Sequence, residues 1–567
     1  MLPRSTLRLA LAAGLLGCTP AAVTAPAPIA PAAKPVVRRP RLAIVLVVDQ
    51  MRADYLERYA DLYRGGLARF RREGAWFTQA HLRHALSYTA PGHASVSTGS
   101  DPARHGIIAN NWFDRASGHE MYAAEDPRAP IVFTTNTDVT LPGRSPRQLE
   151  RPALGDWLKA REPAARVFSV ALKDRAAVLM GGQKPDRAYW YSAEVAGYVS
   201  STWYAGGAPP PAWVTEFNAS GAVFERFARG WIRSRDISAY LRSGPDHVDA
   251  EADGEHTRFP HLFDDGTPAA RSAYAKKLLT TPFGDELTLR FARTLIAAEQ
   301  LGADDTPDLL MISCSSADYI GHAYGPFSHE AEDYYLRLDG WLGEFLTYLD
   351  EHVGKDSYVL ALTADHGALP LPEEARLRGH GSARRVPGPV YRKQTHEALT
   401  AALARLGMNK ETLLHLGEDG VWLNIPEAGA AKMRPAEVRM EVAKSLRGLD
   451  FVADTFTSDE LAGPTDPARP FHAAYQRSYY AGRSPDIQMR FKQWHLVDAQ
   501  TRGTSHGSPY EYDTHVPVLF FGAGVLAGVQ TQSVGTTDVA PTLAELLGLT
   551  PPAEIDGHSL ARVVRGG

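Results

Sequence analysis

Cysteine is nearly missing from this chain: its 567 residues include two, Cys18 and Cys314. A fold built on disulfides is therefore excluded, and an exported protein of this kind must rest on core size or bound metals. Cys314 ends an apolar run and reads as a small buried side chain. No uninterrupted apolar stretch reaches the roughly 18 residues that a membrane-spanning helix needs. Excess positive charge is also lacking. The chain has 60 Lys and Arg against 65 Asp and Glu, a net charge of −5. Five basic residues and no acidic ones fall in the first forty positions, which leaves −10 on the remainder. An acidic body lacks the footprint of general nucleic-acid binding, so nucleic acid is not expected as a specific partner. It leaves room for a phosphate ester in a locally positive pocket. No internal repeat of 20–50 residues is visible. What remains is ordinary for a folded protein: 44% hydrophobic and 22% charged residues. The length suits several domains or one large α/β domain with insertions.

The first forty residues read as export and tether. Arg4 and Arg8 precede the short apolar stretch Leu9–Gly17, which ends at Leu15-Leu16-Gly17-Cys18. That pattern resembles a lipoprotein-type signal over residues 1–18 with lipidation at Cys18; the alternative is an ordinary signal peptide cleaved among the following alanines. Thr19 lacks the acidic character of the usual inner-membrane retention signal. Residues 19–40 hold six Pro and seven Ala and read as an extended tether. The expected location is the periplasm or outer membrane of a bacterium, with membrane contact only through such an anchor. The catalytic body is expected over 41–567.

Five short apolar runs punctuate that body. Leu42–Val48 is followed at once by Asp49, and Arg166–Leu172 by Lys173. Asp308–Ser313 leads to Asp318, Tyr358–Thr363 leads to Asp365 and His366, and Val516–Phe521 follows soon after His506. Runs rich in Val, Ile and Leu without polar alternation suit strands buried on both faces of a mainly parallel sheet. Helical spacing appears between them, as in 331–351 and 538–547. The expected fold is a doubly wound α/β sheet with helices on both faces, where ligands bind beyond the carboxyl ends of the strands. Residues of about 183–290 and 370–500 read as insertions that could cap such a site.

The candidate metal ligands are Asp49, Asp318, His322, Asp365, His366 and His506. Asp318 and His322 stand four apart, one helical turn. Three imidazoles and three carboxylates suit zinc, although manganese or cobalt would also be tolerated. For the nucleophile, the segment from Leu86 to Gly99 is dense in hydroxyls. Thr89 precedes a Pro-Gly turn and the start of a helix, where a hydroxyl faces free N–H groups. On sequence alone Ser87, Ser95, Ser97 and Thr98 compete with it, and a plain helix cap remains an alternative.

Asp49 after the first strand, Thr-Ala-Pro-Gly-His-Ala at 89–94, Asp-Tyr-Ile-Gly-His at 318–322, Thr-Ala-Asp-His-Gly at 363–367 and Ser-His-Gly at 505–507 together resemble the alkaline phosphatase superfamily. Within it they resemble the branch shared by nucleotide pyrophosphatase/phosphodiesterases and phosphate-irrepressible alkaline phosphatases. The closing segment Thr537–Gly548 is similar to that family's as well. The resemblance implies two zinc ions, one held by Asp318, His322 and His506, the other by Asp49, Asp365 and His366, with Thr89 bridging as nucleophile and metal ligand. It implies Asn110 as a phosphoryl-binding residue, although Asn111 is not firmly separated from it. It also implies Lys173 and Arg175 as binders of a monoester dianion. Both follow a predicted strand, and alternate positions in an extended segment point the same way. The implied activity is hydrolysis of phosphate monoesters through a phospho-threonine, with two in-line displacements and retention at phosphorus. A phosphodiesterase on the same site, or a non-catalytic metal-stabilised binding lipoprotein, are the alternatives. Thr89-Ala-Pro-Gly-His93 lacks the convertible Cys or Ser and the Arg that a sulfatase needs. A threonine also argues against the cofactor-independent phosphoglycerate mutases, which use serine. Additional calcium could occupy the acidic insertions. Neither the physiological ester nor the oligomeric state is encoded in these motifs.

Overall fold

The computed structural model describes residues 39–135, 137–418, 420–425 and 433–566. The signal segment and all but the last two residues of the Pro/Ala-rich tether lie outside the described residues.

A ten-stranded sheet forms the centre. Its middle is five parallel strands in the order Tyr358–Thr363, Leu42–Val48, Asp308–Cys314, Val167–Ala171 and Arg187–Ser192. Every residue of these five strands is buried, because both faces are covered and water solvates neither. Alternate side chains of Leu42–Val48 point to opposite faces. Leu42, Ile44, Leu46 and Val48 pack with Leu338, Leu342 and Phe345 of the helix His329–Leu349 and with Phe291 and Leu295 of the helix Phe283–Ala298. Ala43, Val45 and Val47 pack with Leu154 and Leu158 on one helix and Val539 and Leu543 on another. The chain is thus a doubly wound α/β protein with a large, mainly parallel sheet. Cys314 is buried in it as a free thiol.

Two expectations need correction. The run near Val516–Phe521 forms the strand Val518–Gly522, but it pairs antiparallel with Tyr358–Thr363. A continuous apolar run reports burial on both faces and carries no information on strand direction. The stretch 183–290 is only partly an insertion. Arg187–Ser192 and Gly197–Ser201 pair antiparallel with each other within the main sheet, and the helix Phe283–Ala298 belongs to its core. Within the rest, Val214, Phe227, Trp231 and Tyr274 also join that core. Their aromatic content reflects burial under the sheet's helices.

Residues 370–500 contain a unit with its own core. Leu413–Leu416, Gly420–Leu423, Ile487–Phe491 and Val452–Thr457 form a four-stranded antiparallel sheet. The helices Gly388–Arg405 and Pro435–Arg447 lie against it through Leu399, Val438, Val442 and Leu446. Among the described residues, no helix is long and apolar enough to cross a membrane.

Candidate active site

The carboxyl ends of four parallel strands are level. Val48 pairs with Cys314, Val47 with both Thr363 and Ser313, and Ser313 with Ala171. The residues that follow these strands therefore meet at one edge, at the place where open α/β sheets bind ligands. Asp49, Asp318 and Asp365 are buried there. His322 follows Asp318 by one turn of the helix Ser316–Tyr324, and His506 arrives on the loop before Val518–Gly522.

The three imidazoles share one device. His322 Nδ1 donates to the Thr504 carbonyl (2.7 Å), His366 Nδ1 to Gly367 (3.0 Å) and His506 Nδ1 to Ser87 (2.7 Å). With the Nδ1 proton fixed on a backbone oxygen, each ring turns Nε2 inward, and in the neutral ring that nitrogen carries the lone pair a metal ligand requires. Burial pushes His366 down to about 3 and lowers His506 as well, so both stay neutral. His322 differs: burial opposes its charge, but the Asp318 carboxylate beside it raises it. The inward atoms converge. Asp318 Oδ1 lies 3.2 Å from His322 Nε2 and 3.5 Å from His506 Nε2. His366 Nε2 lies 3.3 Å from Asp365 Oδ2 and 3.5 Å from Asp49 Oδ1. The His366 and His506 rings stack at 3.6 Å.

Two tight groups result, Asp318 with His366 and His506, and Asp49 with His93 and Asp365. His366 faces both. Two carboxylate oxygens, Asp49 Oδ1 and Asp365 Oδ2, are buried without a hydrogen-bond partner. A buried, unpaired carboxylate oxygen is costly unless a cation completes it. The only ammonium among these groups, Lys173 Nζ, lies 2.6 Å from Asp49 and 2.5 Å from Asp318. Burial opposes its charge, but these two carboxylates hold it above the ordinary lysine value. The donor set, three imidazoles with Nε2 turned inward and a surplus of buried carboxylates, fits divalent cations.

Thr89 is the first residue of the buried helix Thr89–Thr98, following an extended Tyr88. It is not the cap: its Oγ1 faces Lys173 Nζ (3.4 Å), Arg175 Nη2 (3.4 Å) and His366 Nε2 (3.5 Å). The competing hydroxyls are occupied elsewhere. Ser87 donates to Ser508, Ser97 to Leu179 and Thr98 to Ala94, while Ser95 meets His105 Nε2. Asn110 separates from Asn111 in the same way. Asn110 Oδ1 accepts the Ala90 N–H at 2.9 Å, so its amide nitrogen is left as a donor beside the helix start, whereas Asn111 is exposed on a hairpin strand.

Lys173 and Arg175 both reach Thr89, but not as alternate residues of a strand. The strand ends at Ala171, Lys173 immediately precedes the helix Asp174–Gly181, and Arg175 lies in its first turn. The strand-to-helix turn at the sheet's carboxyl edge aims that helix start at the site, which brings the two cations together from helical geometry.

Two contributors escaped the sequence reading. His93 Nδ1 donates to the Thr89 carbonyl (2.9 Å) and lies 3.1 Å from Asp365 Oδ2, while Nε2 meets Ser313 Oγ at 2.9 Å. Gln50 donates to two of the acids through its backbone and its side chain. His93 was visible as the last polar residue of Thr-Ala-Pro-Gly-His, and Gln50 as the neighbour of Asp49. Neither residue type announces an orienting role without its partners. Gly92 has a clear reason in the same motif: a Cβ there would lie 2.5 Å from the Asp365 carbonyl oxygen. A cavity of about 290 Å³ opens beside Tyr88, Ser505 and His506 and continues under the 370–500 unit, past Tyr391 and Phe491.

This combination of doubly wound sheet, strand-end acids, inward imidazoles and buried threonine defines a metal-dependent hydrolase site of the phosphoryl-transfer type. The chain belongs to the type I phosphodiesterase/nucleotide pyrophosphatase family, which it matches over residues 43–447. It is 34% identical over 535 residues to alkaline phosphatase PafA of Elizabethkingia meningoseptica, covering 93% of this chain and 95% of that one. The crystal structure of wild-type PafA superposes with a TM-score of 0.85 at 33% identity, over 93% of this chain and 100% of that one. A solved PafA variant superposes at 0.84 with 32% identity, over the same shares. In it a threonine is replaced by serine, and an asparagine, a lysine and an arginine by alanine.

Proposed function

We propose that this protein is a zinc-dependent alkaline phosphatase that hydrolyses phosphate monoesters through a phospho-threonine on Thr89. The observation that carries this reading is the setting of Thr89 Oγ1: a buried hydroxyl at a helix start, with two cations and an inward imidazole nitrogen each within 3.5 Å. Asp318, His322 and His506 would hold one ion, and Asp49, Asp365 and His366 the other, with Thr89 completing the pair. Bound there, two divalent ions supply Lewis-acid stabilisation of the entering and leaving oxygens.

The chain's own residues do the rest. Thr89 Oγ1 gives its proton to solvent and attacks phosphorus while the P–O bond to the organic group breaks, and that group takes a proton from water and leaves as its alcohol; Lys173 and Arg175 stabilise the developing oxyanion and then the phosphoryl oxygens. The guanidinium fork suits paired oxygens and the ammonium acts as a point charge, so together they favour a monoester dianion over a diester. The Asn110 amide supplies a further donor. The positive end of the helix Thr89–Thr98 faces the same oxygens. Water opens the phospho-threonine from the opposite side and releases phosphate. The cavity beside His506 accommodates the organic group. The Thr, Asn, Lys and Arg altered in the PafA variant are the same four residue types, in the same chain order, as Thr89, Asn110, Lys173 and Arg175. We infer export from the leader read in residues 1–18, with the lipid anchor at Cys18 as part of that inference.

The test is kcat/KM for p-nitrophenyl phosphate and bis-p-nitrophenyl phosphate, on metal-stripped protein with and without zinc. A large zinc-dependent monoester preference is expected. A diester preference would move the chain to the phosphodiesterase side of its family. Turnover that persists with zinc shown to be absent would remove the metal assignment.

A further inference from the structure

We propose that Gln50 is a positioning residue that couples the two carboxylate groups of the site, so that its two cations bind as a unit. This rests on the dinuclear reading above. Gln50 immediately follows Asp49 and sits at φ +65°, a left-handed conformation that is unfavourable for any residue with a Cβ. Such strain persists where the surroundings over-determine it. Here they do. The Gln50 backbone N–H donates to Asp365 Oδ1 at 3.1 Å, and its side-chain Nε2 donates to Asp318 Oδ1 at 2.8 Å. The residue is 3% exposed. Asp365 and Asp318 belong to the two different ion sets, and this single neutral residue holds one oxygen of each.

Its side chain reaches Asp318 through space left by a glycine. A Cβ on Gly321 would lie 1.8 Å from Gln50 Oε1. That distance is impossible, so the glycine of Asp-Tyr-Ile-Gly-His makes room for the amide. The oxygen Gln50 holds on Asp318 is the one that His322 and His506 also face, which fixes the carboxylate's rotation towards both imidazoles. On Asp365 it holds Oδ1 together with the His366 N–H and leaves Oδ2 turned inward.

The experiment uses the full chain loaded with two equivalents of zinc and titrated with a chelator, with retained zinc counted by elemental analysis. Wild type should release both ions in one step. Gln50→Gly removes the amide and also relieves the φ strain, so its metal-free form should melt no lower than wild type. Its zinc should nevertheless leave in two separated steps, the first at about 10–100-fold lower chelator. kcat should fall while KM holds, because Asn110, Lys173 and Arg175 are intact. Gln50→Asn tolerates the left-handed conformation but is too short to reach Asp318, and should match Gln50→Gly. Gly321→Ala should reproduce the phenotype by expelling the side chain, and Gln50→Gly/Gly321→Ala should be no worse than either alone. Release of both ions by Gln50→Gly in the wild-type step, at wild-type chelator concentration, would overturn the coupling. A lowered metal-free melt with unchanged zinc release would make Gln50 merely structural. Wild type that binds no zinc would instead bring down the dinuclear reading on which this rests.

Discussion

The strand-end site and the 370–500 unit are built on opposite plans. The site collects single residues that follow level parallel strands, each a continuous apolar run with a polar residue close behind. The second unit is an antiparallel sheet in which Gly420–Leu423 pairs with Ile487–Phe491, some sixty residues away, and carries helices of its own. In the first, parallel order and register alone bring distant residues together, so each motif advertises itself locally. In the second, the cavity beside His506 is lined by side chains brought from Tyr88, from 388–418 and from 489–513, which no single motif announces.

The largest effect that separates the two belongs to Thr89, the proposed nucleophile. Thr89→Ala should abolish the phosphoryl-enzyme and lower kcat by roughly 10³-fold or more, read by acid trapping of labelled protein. Full retained turnover would move the nucleophile to another residue.

Next comes Lys173→Ala combined with Arg175→Ala. Loss of two such donors should lower monoester kcat/KM by roughly 10²–10⁴-fold and leave diester turnover much less affected. Equal losses on both ester classes would make the pair structural.

In the other region, Leu446→Ala should cost about 2–5 kcal/mol of that unit's stability by opening a cavity in its core. Zinc content and turnover of a small ester should hold below its melting range. A parallel collapse of zinc binding would show that the two cores are not independent.

The last effect is a pH slope where the segment around Glu251 meets the site. Glu251 is buried near Glu330, between Ala252, whose N–H donates to the Ala323 carbonyl next to His322, and Ala250, whose carbonyl accepts the Gly503 N–H three residues before His506. Burial, then the Glu330 charge, push it up to about 10 from an ordinary value of 4.5. The folded protein keeps a proton there that the unfolded chain releases above its ordinary value, so this group's contribution falls as pH rises from about 4.5 to about 10. Glu251→Gln should flatten the decline in melting temperature between pH 6 and pH 9. An unchanged decline would place the slope elsewhere.

Much of the candidate site was legible because its candidate ligands closely follow the features that reveal the strands. Asp49 and Asp365 could be read beside Leu42–Val48 and Tyr358–Thr363, and the Asp318–His322 spacing matched one helical turn. The separation of Thr89 from Ser87, Ser95, Ser97 and Thr98 was not legible. A hydroxyl's neighbours decide whether it is occupied, and those of Ser87 and Ser97 lie hundreds or scores of residues away. The parallel reading of Val518–Gly522 failed because burial is symmetric with respect to strand direction.

By itself, then, the sequence determined the doubly wound class, the family, and the residue types at the strand ends, since apolar periodicity and local motifs are properties of contiguous residues. Only the tertiary structure decided which nitrogen each imidazole turns inward, that Lys173 and Arg175 converge from a helix start, and that Gln50 holds two acids at once. Those outcomes depend on hydrogen-bond partners supplied by remote segments: Thr504 for His322, Ser87 for His506, and the space above Gly321 for Gln50.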